Sequence, residues 1–271
     1  APFGFAGWRF LRMKDRELGL ASLRAFNDWT FEVWAGSHPG RMIPCQLAWL
    51  ADPVVAAEEI RRNAARGFAA VSFSENPEKL GLPSLYGREW DPFFRACEET
   101  GTVLNLHVGS SSETIVPSRD SSPAVLGALF PINGMATATD WLFAGIPVRF
   151  PELKIAMSEG GIGWVPILVD RIEYMSRVLD YSKEFGALSP IEVLRRNFWF
   201  TTFSDPSTLP LRGLVGVDHI MVETDYPHTD SSFPETQDLL AAHFRGIPRA
   251  EVEQMTHENA RRLYRLEPQA A

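Results

Sequence analysis

The sequence predicts an α/β fold on a parallel sheet, either a TIM-type (β/α) barrel with about six of its eight strands or an open doubly wound sheet. Three observations lead there. Short apolar segments alternate with helical patterns along all 271 residues, which is the signature of βα units. Those segments are nearly continuous and turn polar at their C-terminal ends, as strands buried on both faces do. No internal repeat or low-complexity run interrupts the alternation, so a single domain over residues 1–271 is the simplest organisation.

In chain order, Ala1–Arg9 reads as a loop and Leu11–Trp34 as a helix with Leu23, Phe26, Thr30 and Val33 on one face. Met42–Leu50 is the first strand candidate. Asp52-Pro53 then sets a capping carboxylate before a proline at the first helical position, and Gly67 closes that helix. Phe68–Ser74 and Thr102–Gly109 are the next two strands. The Ser- and Pro-rich stretch "SSSETIVPSRDSSPAVLG" reads as a long loop, of the kind that forms a lid, ahead of a helix at Thr137–Phe143.

Leu153–Glu159 is the fourth strand. From Trp164, apolar residues at Ile167, Leu168, Ile172, Met175, Val178 and Leu179 draw one helical stripe. Ser189-Pro190-Ile191-Glu192 is a capping box with a proline inside it. Phe198–Phe203 and His219–Asp225 complete the strands, and a last helix after Pro248 turns Val252, Met255, Ala260, Leu263 and Tyr264 inward. Six strands satisfy an open sheet as they stand. A closed barrel needs two more βα units, expected upstream of Ala1.

Composition excludes several roles. Lys and Arg number 26 against 34 Asp and Glu, a net charge of −8, so there is no basic field for a nucleic acid. Cys45 and Cys97 lack metal-type spacing and read as buried apolar thiols of a reducing compartment. No apolar run approaches the roughly 18 residues of a membrane span, and no signal-peptide pattern opens the chain, so the expectation is a soluble cytoplasmic protein. Eight Trp and 18 Phe fit either a thick core or an aromatic-lined pocket.

Polar residues gather where strands end: Asn105 and His107, Ser158 and Glu159, Thr201 and Thr202, Glu223 and Asp225. In a parallel barrel these ends face one rim, where active sites form, so His107, Glu159 and Asp225 are expected to converge. Singly, each has a plain alternative: a strand-end His is usually just hydrogen-bonded, and an Asp before Tyr-Pro is often a turn residue. Glu159 is either a proton-transfer group or a structural carboxylate bonded to the turn Gly160–Gly163. His228 sits in the loop over the rim, to bind substrate, join a metal site or cap a turn. Asp230 reads as a loop-stabilising acceptor. Arg119, in the long loop, is the candidate partner for a substrate carboxylate, with plain solvation as the alternative. His38, His219, His243 and His257 read as structural.

The blocks "LNLHVG", "LKIAMSEGGIGWVPILVDRI", "SPIEVLRRNFWFTTFSD", "IMVETDYPHTDSSFP" and "HENARRLYRL" resemble, in order, landmarks of the amidohydrolase-related family, which includes aminocarboxymuconate-semialdehyde and resorcylate decarboxylases. The resemblance runs from about Met42 to Leu266 and selects the barrel, short of its first strand. It implies one divalent ion, zinc by family habit, with His107 and Asp225 as ligands; the family's His-x-His pair is absent here. Glu159 stands where many relatives have a catalytic His. The resemblance implies a metal-dependent hydrolase acting on a small molecule, with Glu159 and Asp225 as catalytic groups and His228 and Arg119 contacting substrate. Non-oxidative decarboxylation of an aromatic or enoic carboxylate is the alternative, and a non-catalytic truncated barrel that serves as a binding partner is a third. Its expected partners are a small-molecule substrate and a homo-oligomeric copy, not a nucleic acid or a membrane.

Overall fold

The computed structural model of the chain describes residues 7–202 and 204–266. Six strands lie in one sheet in chain order: β1 (Cys45–Leu47), β2 (Ala70–Phe73), β3 (Val103–His107), β4 (Ile155–Ser158), β5 (Phe198–Thr202) and β6 (Ile220–Val222). The strands are parallel and helices connect them, as an α/β barrel with part of its staves requires, and the sheet is not closed. All six expected strands form, each within its expected bounds and shorter, because the flanking residues leave the ladder for turns. Phe203, expected at the end of the fifth strand, and Ala1–Ala6 of the expected N-terminal loop lie outside the described residues.

The described residues divide into two compact units, 7–113 with 149–155 and 261–266, and 114–148 with 156–202 and 204–260. In the first unit, β1 pairs β2 with Cys45 opposite Ala70, and β2 pairs β3 with Ala70 opposite Val103. Its core is aromatic: Phe73 lies with ring centroids 4.9 Å from both Trp90 and Phe93, and Phe94 lies 6.0 Å from Phe150. Such pairs add to the area they bury. Asp52 caps the helix Pro53–Ala64 through the N–H groups of Val54 and Val55. On that helix, buried Glu59 accepts from Arg24 and Arg62. The fully buried Asn27 accepts from Leu47 N–H at 2.9 Å and donates to Leu47 C=O at 3.1 Å, occupying the backbone of the outermost strand.

In the second unit β5 pairs β6 with Phe200 opposite Ile220. Trp164 packs edge-on against Phe200 at 5.4 Å and donates its indole N–H to Gly160 C=O at 2.9 Å. The capping box at Ser189 and Glu192 starts the helix Pro190–Asn197. At the opposite outermost strand, buried Asn259 donates to the carbonyls of Val217 and Ile220 at 2.7 and 2.8 Å.

Three helical expectations need correction. Leu11–Trp34 is not one helix: Trp8–Leu11 stops, Asp15 caps a new helix Arg16–Trp29, and a wider π turn follows over Thr30–Ala35. That wider turn rotates the face, and Val33 ends 55% exposed. The expected long loop ends sooner, because Ser122-Pro123 opens a helix that runs Pro123–Phe143 with Pro131 inside it. Proline suits the first turn, where its missing N–H has no helical partner to lose. The helix after Trp164 ends at Met175, which leaves Val178 and Leu179 exposed beyond it.

Candidate metal centre

In the second unit, a residue with left-handed backbone follows β4 directly and another follows β6 by three residues. Glu159 has φ 59° and Asp225 has φ 53°. Side chains other than Gly avoid this region, so each conformation must be held by its surroundings. The Glu159 N–H is shared by two acceptors, Thr201 Oγ1 at 3.1 Å and Glu223 Oε1 at 2.9 Å. Thr201 in turn donates to Met157 C=O at 3.0 Å, so the hydroxyl fixes both sides of the Glu159 turn. Beyond it, Thr202 donates to Asp205 at 2.6 Å, and a Cβ on Gly161 would sit 2.9 Å from Asp205 Oδ1. Asp205 is a site neighbour that sequence reading missed; the signal was a polar run, "TTFSD", directly at a strand end.

After Asp225 the chain loops back on itself: His228 N–H bonds Asp225 C=O at 2.8 Å, and Ser232 N–H bonds Thr224 C=O at 3.1 Å. This brings Glu159, Asp225 and His228 together, with one donor atom of each within 4.8 Å of the others. Glu159 and Asp225 are partly buried and His228 is exposed. His228 Nδ1 lies 2.7 Å from Asp225 Oδ2 and also against Asp230 Oδ1. One N–H satisfies one acceptor, and its hydrogen-bond geometry is met at Asp230. Asp225 Oδ2 is left buried with no hydrogen-bond partner.

The electrostatics follow from that crowding. Desolvation, reinforced by the hydrogen bond and the charge of Glu159, pushes the Asp225 carboxyl up to about 6; the His228 charge acts the other way. His228 is raised, chiefly by its bond to Asp230. A buried carboxylate oxygen without a hydrogen bond, beside a second carboxylate and an imidazole, is a donor set that suits a divalent cation, which would relieve both the repulsion and the unbonded oxygen. The residues therefore fit the ion that the fold implies.

His107 closes β3 in the first unit, part-buried, with its Nδ1 2.7 Å from Val108 C=O. Arg119 lies exposed in the loop ahead of the helix Pro123–Phe143, with no ion pair to an acid among the described residues.

The family model described as amidohydrolase matches residues 5–266. The chain belongs to the amidohydrolase family. This is a family of enzymes, and its metal-dependent members share the fold seen here. Among curated proteins none matches the chain. Solved structures do. An amidohydrolase from Mycobacterium avium subsp. paratuberculosis K-10 is 25% identical with a TM-score of 0.73, over 92% of this chain and 66% of that one. This amidohydrolase thus spans 66% of the length of that relative. The 2,6-dihydroxybenzoate decarboxylase from Rhizobium is 23% identical, with a TM-score of 0.75 over 96% of this chain and 81% of that one. The 5-carboxyvanillate decarboxylase from Novosphingobium aromaticivorans, solved with manganese and a nitrobenzoic acid, is 21% identical with a TM-score of 0.73, over 94% and 73%. At these identities the two decarboxylases speak for the fold. No helix among the described residues is long and apolar enough to cross a membrane.

Proposed function

We propose that this amidohydrolase is a metal-dependent hydrolase of a small molecule, a single domain whose chemistry centres on Glu159 and Asp225. The observation that carries the reading is the convergence of Glu159, Asp225 and His228, with Asp225 Oδ2 buried, 2.7 Å from His228 Nδ1 and without a hydrogen bond of its own. Asp225 is the anionic ligand in this reading, with His107 as the imidazole ligand that the family resemblance supplies. A divalent ion bound there, zinc or manganese, supplies Lewis acidity to a substrate carbonyl and lowers the pKa of water. Glu159, crowded against Asp225, takes a proton from the attacking water and returns it to the leaving group. His228 and Arg119 contact the substrate from their loops, Arg119 through any carboxylate it carries.

A second reading, non-oxidative decarboxylation, is favoured by the two decarboxylases of similar fold. There Glu159 would deliver its proton to carbon in place of the lost carboxylate. A panel of small esters, amides and hydroxybenzoates, run in ¹⁸O-water and in deuterium oxide with zinc or manganese added, separates the two. Label from water in a product carboxylate supports hydrolysis. Carbon dioxide with ring deuterium supports decarboxylation. No turnover of any member by the metal-loaded protein, together with no metal uptake, would sink both.

A further inference from the structure

The geometry points to Glu75 as a positioning residue that sets the tautomer of His107 through the turn that follows β3. This inference rests on the reading of His107 as a metal ligand. Glu75 follows β2 by two residues and is 2% exposed. One of its carboxylate oxygens accepts from the Ser110 hydroxyl and the other from the Ser111 hydroxyl, the second at 2.6 Å. Its own N–H returns to Ser110 Oγ at 3.0 Å. Ser110 and Ser111 are buried, at 0% and 1% exposure, so these bonds form away from water, where charge-assisted hydrogen bonds are strongest.

The two serines belong to the turn that His107 opens. Ser110 N–H donates to His107 C=O at 3.1 Å, and Ser112 N–H to Gly109 C=O at 2.9 Å, with Gly109 at φ 73°. Inside that turn lies Val108, whose carbonyl oxygen is 2.7 Å from His107 Nδ1. A carbonyl only accepts, so Nδ1 carries the hydrogen. In the neutral ring Nε2 then holds the lone pair and is the nitrogen able to bind a metal. The direction of the Val108 carbonyl selects that tautomer. The turn sets the direction, and Glu75, grafted onto the neighbouring strand, holds the turn.

The test uses protein with ¹⁵N-labelled histidine rings, without metal, with His107 assigned by the signal lost in His107→Gln. Wild type is expected to show His107 as the Nδ1–H tautomer. In Glu75→Ala and Ser110→Ala the signal should shift toward a mixture of tautomers, and Co²⁺ affinity, read by absorbance titration, should fall ten- to a hundredfold. Glu75→Gln keeps one carbonyl acceptor and the side chain's shape, so it should lose less and carries the test if the alanine variants do not fold. A His107 ring that keeps its single tautomer and wild-type Co²⁺ affinity in the folded variants overturns the inference and leaves Glu75 a purely structural acid. Unchanged Co²⁺ affinity in His107→Gln instead removes the ligand reading, so the two failures are told apart.

Discussion

Replacing Glu159 by Ala and by Gly should reverse the usual order of those two residues. Both variants delete the same carboxylate and relieve the same repulsion with Asp225, so their difference isolates the backbone. At φ 59° Glu159 occupies left-handed space, where a Cβ costs about 1–2 kcal/mol and Gly costs nothing extra. At an ordinary position Gly is instead the less stable by about 0.5–1 kcal/mol, through the entropy of its unfolded chain. The left-handed penalty exceeds the entropy, so the Gly variant should be the more stable by about 0.5–1 kcal/mol, roughly 1–4 °C in Tm for a protein of this size. Scanning calorimetry with a chelator present reads the difference without any metal contribution. An Ala variant that melts at or above the Gly variant would show that the Glu159 turn is not strained. The left-handed turn would then be no evidence for a site held in place by Thr201 and Glu223.

Three other outcomes follow from the same geometry. Asp225→Asn should lower Co²⁺ or Zn²⁺ affinity at least tenfold and abolish turnover, because an amide oxygen is a neutral and poorer ligand, while His243→Asn, at the end of the helix Thr236–His243, should change neither; equilibrium dialysis and rate assays check both. Glu59→Ala should cost about 1–3 kcal/mol in urea unfolding, since it removes an anion that is 3% exposed and bound by Arg24 and Arg62, although both arginines can turn to water. Burial opposes ionisation of Asp28, but hydrogen bonds from Arg66 and Arg62 outweigh it and hold the carboxyl below its ordinary 3.8. A depressed folded value gives stability that is present above 3.8 and lost as pH falls through that lowered value, so Asp28→Asn should destabilise at pH 7 and by progressively less as pH falls below 3.8, as measured by denaturant midpoints.

The strands were legible because each is an apolar run buried on both faces, a pattern that chain-local reading captures. The caps at Asp52 and Ser189 were legible for the same reason: cap and capped N–H are two or three residues apart. What escaped depends on registers or partners that are distant in sequence. The π turn at Thr30–Ala35 keeps a helix-like composition while changing which residues face inward. Gly127 and Pro131 hid the helix Pro123–Phe143 behind residues that usually break helices. Glu159 and Asp225 could each be seen at a strand end, but their crowding against one another arises only from strand order. Glu75 drew no reading from the sequence, because its two serine partners lie 35 and 36 residues further on, in a stretch that reads as loop.

The two buried asparagines at the outer strands of the sheet have a consequence for how those strands can pair. An uncovered flank is a template: it recruits any extended segment with matching donors and acceptors, and growth by such recruitment has no natural end. Asn27 meets Leu47 with an amide that imitates the backbone of a neighbouring strand, and Asn259 does the same for the carbonyls of Val217 and Ile220. A side-chain amide, unlike a real strand, has no next residue to continue the pattern. Each asparagine thus takes up backbone groups at an outer strand without offering a further residue for another segment to pair with.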